Sequence, residues 1–223
     1  MARLRELSSD QRGGHPSRSD GPLQQHRGWF MGPIRCSFSD IELAFSRDGI
    51  RWDRLPTRDL FMGIGRQHGQ GADFDSGMII VNRPVVVGDE LWFYYTGYKA
   101  THTDFSNTYG VGLAVSRVDR LIGRSTPRGE GGLLLTRPLT WKGNALEINA
   151  SSADGAIQVE VLSENGEAID GYDRAASVVF SGDSLRQRIQ WEGGRTMGRL
   201  DGRRVRLKFY LSNATVYSFA MKD

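Results

Sequence analysis

The sequence predicts an all-β protein, and three observations carry that prediction. Apolar residues come in short alternating or continuous runs of about strand length, separated by Gly, Asp and Asn. Glycine is abundant, with 28 among 223 residues, which favours many tight turns over long helices. No stretch of ten or more residues has the apolar spacing that an amphipathic helix requires.

The N-terminal segment, residues 1–33, precedes the first predicted strand. Its first 28 residues are rich in Arg, Ser, Gly, Gln and His and contain almost no periodic apolar residues. Such a composition does not bury enough apolar surface to offset the entropy lost on ordering. We therefore predict a disordered arm over residues 1–33.

A first series of strands is predicted within residues 34–130. The strands are predicted at 41–48, 50–55, 76–87, 91–98 and 109–118, with turns at Asp48-Gly49 and Gly88-Asp89. The sequence Leu-Ala-x-Ser-Arg begins at Leu43 and again at Leu113. Recurrent small β-units are typical of propellers and solenoids, so this part is predicted to have propeller-type blades.

A second series of strands is predicted within residues 131–223. The strands are predicted at 130–143, 145–152, 156–163, 167–173, 177–180, 186–193, 203–212 and 215–223. Asn165-Gly166 lies between two of them and is a strong signal for a tight hairpin. The boundary between the two series is predicted at residues 125–132, where Pro and Gly are concentrated.

Composition argues against several classes of function. The formal net charge is only +3, and acidic and basic residues are interleaved, so no nucleic-acid partner is expected. No run approaches the roughly 20 apolar residues of a membrane span, and the start of the chain lacks the apolar region of a signal peptide. Cys36 is the single cysteine, which excludes an intramolecular disulfide. No cofactor or metal is expected.

Asp75 is the candidate catalytic residue. It lies between an aromatic residue and a Ser-Gly pair, directly before an apolar strand. If that strand is the inner strand of a blade, Asp75 faces the central channel, where a carboxylate can bind sugar hydroxyls or act as nucleophile or base. The alternative is a structural role, in which Asp75 accepts hydrogen bonds from the backbone or from Ser76 in a turn.

Four further residues are candidate substrate-binding residues. His102 and Asp104 lie in the loop after the strand at 91–98, where they are expected to reach the same end of the funnel as Asp75. Asp73 belongs to a polar, glycine-rich loop. Tyr95 and Tyr98 each offer a ring for stacking on a sugar, and Tyr98 is the candidate of the two. The alternatives are a solvated loop histidine and a strand tyrosine that packs in the core.

The segment from Ser46 to Trp52 is interpreted as a structural turn. Asp48 can accept backbone hydrogen bonds, Gly49 permits a positive φ, and Trp52 can pack over the hairpin. The pattern resembles the Ser-x-Asp-Gly-x-x-Trp turn found between outer strands of carbohydrate-active propellers.

Residues 34–223 resemble the C-terminal part of glycoside hydrolase family 32-like and family 43-like proteins. The stretches that carry the resemblance are IELAFSRDGIRWDRL, FDSGMIIVNRPVVVGDELWFYYTGY, LLLTRPLTWKGNALEINASSADGAIQVEVLSENGEAIDGY, GDSLRQRIQW and RRVRLKFYLSNATVYSFAM. These families join a five-bladed β-propeller to a β-sandwich. The resemblance implies a partial propeller of about one and a half blades over 34–130, followed by a β-sandwich over 131–223.

The resemblance also implies a function, namely hydrolysis or binding of furanosides or related carbohydrates. The three carboxylate motifs of family 32 are absent, and Asp75 alone occupies a comparable position. Glycoside hydrolysis ordinarily needs two carboxyl groups. A non-catalytic carbohydrate-binding or structural β-sandwich module is therefore the alternative. Open propeller edges also predict self-association, because unpaired strand edges recruit further strands. Relatives of this type are often exported, so the sequence assigns no cellular compartment.

Overall fold

A computed structural model describes residues 2–8, 38–66, 73–101 and 108–223, and these residues form an all-β protein. They contain sixteen strands, and their only helical segments are 3-10 turns of three and four residues. The all-β prediction is confirmed. No helix in these parts of the chain is long and apolar enough to cross a membrane. The chain divides into two compact units, of which the first ends at Val115 and the second begins at Ser116.

The first unit contains one eight-stranded sheet. Its strands are β1 (Ala2–Ser8), β2 (Ser39–Phe45), β3 (Asp53–Arg54), β4 (Leu60–Met62), β5 (Met78–Val81), β6 (Val85–Val87), β7 (Glu90–Tyr98) and β8 (Tyr109–Arg117), the last of which crosses the division between the units. The main path is β1-β2-β5-β7-β6, with β3 and β4 on β2 and β8 on β7. The contact of β2 with β5 is parallel, whereas β5 and β6 pair antiparallel with β7.

Strand β2 is buried over six successive residues, so side chains on both faces of the strand are covered. Ile41, Leu43 and Ala44 are each at most 4% exposed. The same strand buries Glu42, whose carboxylate accepts two hydrogen bonds from the Arg58 guanidinium at 3.0 and 3.3 Å. A buried carboxylate requires such a partner, since it has lost its water.

The hairpin from Ser46 to Trp52 has the structural role expected for it. The Asp48 Oδ1 atom accepts hydrogen bonds from the backbone N–H groups of Arg51 and Ile50, both at 2.8 Å. These bonds, with a third from the Ser46 hydroxyl, hold the pKa of Asp48 below its ordinary value. Gly49 has a φ of 77°, and the Trp52 indole N–H donates to its carbonyl oxygen at 3.1 Å. The interpretation of this segment as a turn is confirmed.

The second unit contains two four-stranded antiparallel sheets. Its strands are β9 (Arg124–Ser125), β10 (Gly131–Leu135), β11 (Leu139–Thr140), β12 (Ala145–Ser151), β13 (Ala156–Ser163), β14 (Asp183–Arg188), β15 (Arg204–Ser212) and β16 (Thr215–Lys222). One sheet has the order β14-β12-β16-β9. In the other, β15 pairs with β13 and also with β10 and β11.

Both sheets of the second unit contribute to one hydrophobic core. Strand β12 supplies Leu146 and Ile148, whereas β13 and β15 supply Val159 and Phe209, and all four side chains are at most 1% exposed. Inward and outward residues alternate along β15, as expected of a strand with one face on a core. The core therefore fixes which face of each strand points inward.

The structure differs from the sequence-based predictions at several segments. Residues 2–8 form β1, paired with β2 along their whole length, instead of belonging to a disordered arm; the rest of that predicted arm lies outside the described residues. The single strand predicted at 76–87 is two strands, because Pro84 has no N–H to donate to a neighbour. Residues 167–173 and 177–180 form only isolated bridges.

The division between the units also precedes the predicted boundary at 125–132. Strand β9 pairs with β16, with Arg124 opposite Val216 and Ser125 opposite Thr215. This pairing assigns residues 124 and 125 to the second unit. The second unit therefore begins before the Pro- and Gly-rich segment in which the sequence predicted the boundary.

Candidate functional site

Asp75 lies in the turn before β5 and is half-buried. Its Oδ2 atom accepts a hydrogen bond from the Tyr95 hydroxyl at 2.8 Å, and its main-chain oxygen accepts one from the Gly65 N–H at 3.2 Å. The Ser76 hydroxyl donates instead to the Lys99 carbonyl oxygen at 3.0 Å, so it is not the partner that the structural alternative gave Asp75. The carboxylate is held by a phenol from β7.

Glycine residues on neighbouring strands make room for this cluster. A Cβ atom at Gly97 would overlap the Asp75 side chain and lie 2.7 Å from the Phe74 ring. A Cβ atom at Gly112 would overlap the Tyr95 ring, and one at Gly110 would lie 2.8 Å from Phe74. The glycines of β7 and β8 thus form a floor on which Phe74, Asp75 and Tyr95 lie.

Asp73 approaches the same place from the preceding loop. Its carboxylate accepts hydrogen bonds from Arg66, at 2.8 Å from the backbone N–H and at 3.3 and 3.2 Å from the guanidinium. These bonds hold the pKa of Asp73 below its ordinary value. A Cβ atom at Gly65 would contact both Asp75 Oδ1 and, at 3.0 Å, Asp73 Oδ2. Two carboxylates therefore converge above Gly65.

An aromatic pair lies beside the two carboxylates. The rings of Phe74 and Tyr95 are stacked, with centroids 6.0 Å apart and an angle of 20° between the planes. Phe74 is 40% exposed, so part of this pair is open to solvent. An exposed apolar ring next to carboxylate acceptors can bind a polyol, because the ring takes C–H groups while the oxygens accept hydroxyl protons.

The Tyr95 hydroxyl is the group of the cluster with the largest change in acidity. Burial, followed by the hydrogen bond to Asp75 and the charges of Asp75 and Asp73, raises the pKa of Tyr95 to about 12. A phenolate at this place would be partly buried and would face two negative carboxylates. Both effects favour the neutral phenol, so the pKa rises. Tyr95 is therefore a hydrogen-bond donor to Asp75 at neutral pH.

A titration of the tyrosines should reveal this perturbed phenol. The pKa of Tyr95 is raised from 10.0 to about 12, so its stabilisation of the fold is complete below pH 10 and is lost as the pH rises through 12. We expect ultraviolet absorbance to show a late ionisation step that Tyr95→Phe removes. Tyr109→Phe, at a ring that is 73% exposed, should leave that step in place. A late step that survives Tyr95→Phe would contradict the assignment.

The structure brings together some of the predicted site residues and separates another. Asp75 and Asp73 lie together above Gly65. Tyr98 lies on the opposite face of β7, because Tyr95 and Gly97 share the face that meets Asp75 and side chains alternate along a strand. The Tyr98 ring contacts Tyr109 there, at 6.0 Å between centroids. Tyr98 is thus not beside Asp75. His102 and Asp104 lie outside the described residues.

Three members of the cluster were not among the predicted site residues: Phe74, Tyr95 and Gly65. Tyr95 and Tyr98 both looked able to stack on a sugar from sequence alone. The sequence signal that distinguishes Tyr95 from Tyr98 is Gly97, two residues after Tyr95. Residues two apart lie on the same face of a strand, so the missing side chain of Gly97 leaves space beside Tyr95 for the Asp75 side chain. Among the residues described, no group of three His, Cys, Asp or Glu side chains is arranged to hold a metal ion.

Comparison of the chain with family models, with curated proteins and with solved structures gave no match.

Proposed function

We propose that this chain is a glycoside hydrolase-like protein whose first unit binds a furanoside or related carbohydrate at Asp75. The observation that carries the proposal is the convergence of Asp75 and Asp73 above Gly65, next to the half-open ring of Phe74. Carboxylate oxygens are strong acceptors for sugar hydroxyls, and charge-assisted bonds of this kind are stronger than neutral ones. Tyr95 holds the Asp75 carboxylate in place through its hydroxyl.

The geometry supports binding ahead of hydrolysis. A retaining glycosidase places two carboxyl groups about 5–5.5 Å apart, one as nucleophile and one as acid, and Asp73 and Asp75 are near neighbours above Gly65. The acid of such a pair must hold a proton near neutral pH, which requires a raised pKa. Arg66 lowers the pKa of Asp73 instead. Asp73 is therefore unsuited to the role of the acid, whereas binding needs only the residues already in place.

The arrangement of strands is compatible with the architecture proposed here, a partial β-propeller followed by a β-sandwich. In the first unit, β5, β7 and β8 are neighbours in one sheet, as the strands of one blade are, and β5 is antiparallel to β7. Strand β5 also meets β2, in parallel, where Ser39 lies opposite Met78. In the second unit, two antiparallel sheets bury one shared core, which favours a sandwich.

Substitution of Asp75 by Asn should weaken carbohydrate binding by about 10- to 100-fold, since one charge-assisted hydrogen bond contributes about 1.5–3 kcal/mol. We would titrate the protein calorimetrically with fructan- and arabinan-derived oligosaccharides. Release of reducing sugar from fructans, arabinans and aryl furanosides would be followed in parallel. Asp53→Asn, which neutralises an exposed carboxylate on β3, is the matched control and should bind as the unchanged protein does.

Each outcome of that experiment has a defined meaning. Binding without release of sugar supports the non-catalytic form of the proposal, and binding with release supports a hydrolase. Equal affinity of Asp75→Asn and the unchanged protein would remove Asp75 from the site. An absence of heat with every oligosaccharide at millimolar concentration would overturn the proposal.

The second unit offers a different place for a sugar, a cleft of about 520 Å³ on the sheet that contains β15. Gln158, Arg174 and Tyr210 line it. The Tyr210 ring is already covered, with the Arg174 guanidinium 4.3 Å and the Lys208 ammonium 4.8 Å from its centre. Its hydroxyl donates to Glu160 at 2.6 Å. These contacts favour a scaffolding role for the second unit, and undiminished binding by Arg174→Ala would agree with that role.

A further inference from the structure

One face of the sheet in the first unit is apolar and exposed. Six side chains on β5, β7 and β8 are between 41% and 75% exposed, namely Ile80, Tyr94, Tyr109, Val111, Leu113 and Val115. We call this set the β8 apolar face. It contains no charged side chain among its six members and lies on the sheet side away from Asp75.

Strand register and ring contacts place these side chains on the same face. Ile80 lies opposite Thr96, which shares the face of Tyr94 and Tyr98 through alternation along β7. The Tyr98 ring contacts Tyr109, which assigns the odd-numbered residues of β8 to that face. In agreement, the even-numbered Gly110 and Gly112 face Phe74 and Tyr95 on the other side.

The size of this surface is at the upper end of the range for an isolated protein. An aromatic side chain has about 150–250 Å² of surface, so the exposed fractions leave on the order of 600 Å² of apolar area over the six residues. The largest apolar patch of a typical monomer is about 300–600 Å², and such patches mark interaction sites. Two copies of this face would bury on the order of 1,200 Å², the lower limit for a specific interface.

We infer that two copies of this chain associate face to face through the β8 apolar face. A second copy fits because all six members are uncharged, so that two identical patches meet without repulsion between like charges; the charged side chains on the same side of the sheet, Glu90 and Arg117, lie at the ends of their strands. A two-fold interface uses the same patch on both partners, which closes the assembly at a dimer. Strand β8 supplies four of the six residues along 109–115, at every second position, and therefore presents a straight apolar row to its counterpart.

This inference does not depend on the proposed function. The apolar face lies on the opposite side of the sheet from Asp75, and dimerisation needs no carbohydrate. Dimerisation would also remove this apolar surface from water. Burial of apolar area stabilises association by about 25 cal/mol per Å², before the entropy of association is subtracted.

The full chain should sediment as a dimer of a 24.9 kDa protomer at concentrations of about 1–100 µM, and a lysine in the apolar face should shift it to monomer. Val111→Lys buries a charge at the interface, so we expect the dissociation constant to rise at least about tenfold. Val111 is 75% exposed, and its substitution should leave the circular dichroism spectrum unchanged. Sedimentation velocity with light scattering measures the mass directly.

Ile50→Lys is the matched control, since Ile50 is 84% exposed in the hairpin between β2 and β3 and lies outside the apolar face. It should dimerise as the unchanged protein does. A monomer for the unchanged protein up to about 100 µM would overturn the inference. So would dissociation by Ile50→Lys to the same extent as by Val111→Lys, or growth of open-ended oligomers in place of a dimer, which would indicate pairing of strand edges instead of faces.

Discussion

Replacing Trp141 with alanine should lower the free energy of unfolding of the second unit by about 3–5 kcal/mol. Trp141 is fully buried in the core that the two sheets share. Its indole N–H donates to the Gly143 carbonyl oxygen at 2.7 Å, so the substitution removes a hydrogen-bond donor as well as a large apolar side chain. Domains are commonly stable by only about 5–15 kcal/mol, so this loss would bring the unit close to unfolding.

Guanidinium denaturation followed by far-ultraviolet circular dichroism measures this loss, with Phe219→Ala as the control. Phe219 is an aromatic residue of the same unit, on β16, but it is 37% exposed. Because part of its surface already meets water, its truncation should cost about 1–2 kcal/mol. Equal losses for the two variants would show that Trp141 is not the centre of the core.

The strands that the sequence predicted well are those that bury one face on their own unit. Strand β13 begins and ends at the predicted residues, and β7 differs from its prediction by one residue at its start. Both are bounded by turn signals that act locally: Gly166 and Gly88 have φ values of 92° and 59°, which only glycine adopts easily. The alternation of apolar and polar residues and the residue preferences of turns act over a few positions, so both can be recognised from the sequence alone.

Other strands depend on partners that are distant in the sequence. Strand β1 has a short and highly charged sequence, and it becomes a strand by pairing with β2, where Ala2 lies opposite Phe45. Strand β4 likewise needs β2, with Met62 opposite Ile41. Strand propensity depends strongly on such context, and local composition does not carry it.

In the candidate site, too, local features were predictable from the sequence and contacts between distant residues were not. The position of Asp75 before an apolar strand was visible in the sequence, and Asp73 was near it. The choice between Tyr95 and Tyr98 was not, because alternate residues of one strand lie on opposite faces and the sequence does not say which face meets Asp75. The approach of both carboxylates to Gly65 is a contact between the two arms of the connection from β4 to β5, residues 63–77, which only the folded chain shows.

Arg120 should be the polar residue with the largest effect on the stability of the second unit. Its side chain is only 10% exposed, and its Nε donates to Asn149 Oδ1 at 2.8 Å. The same guanidinium donates to Asp183 and to the carbonyl oxygens of Ala150 and Ser184, and it lies 4.7 Å from the centre of the Tyr217 ring. One side chain thus joins β12, β14 and β16.

Arg120→Ala should lower the free energy of unfolding by about 2–4 kcal/mol, because it leaves the buried Asn149 oxygen without this donor and removes the ion pair. Hydrogen bonds from Arg120 are the main cause of the lowered pKa of Asp183. A lowered folded-state pKa contributes stability above the ordinary value of 3.8, and that contribution is lost as the pH falls through the lower folded-state value. The difference between Arg120→Ala and the unchanged protein should therefore narrow below about pH 3.8.

Arg117→Ala is the matched control, since Arg117 donates to the same Asp183 oxygen at 2.7 Å while both side chains are 43% exposed. Exposed ion pairs contribute about 0–1 kcal/mol, because water screens the charges and competes for the hydrogen bonds. Denaturation at neutral pH should accordingly show a loss of at most about 1 kcal/mol for Arg117→Ala. If it destabilises the unit as much as Arg120→Ala does, charge on Asp183 matters more than the burial of Arg120 and its bonds to β12.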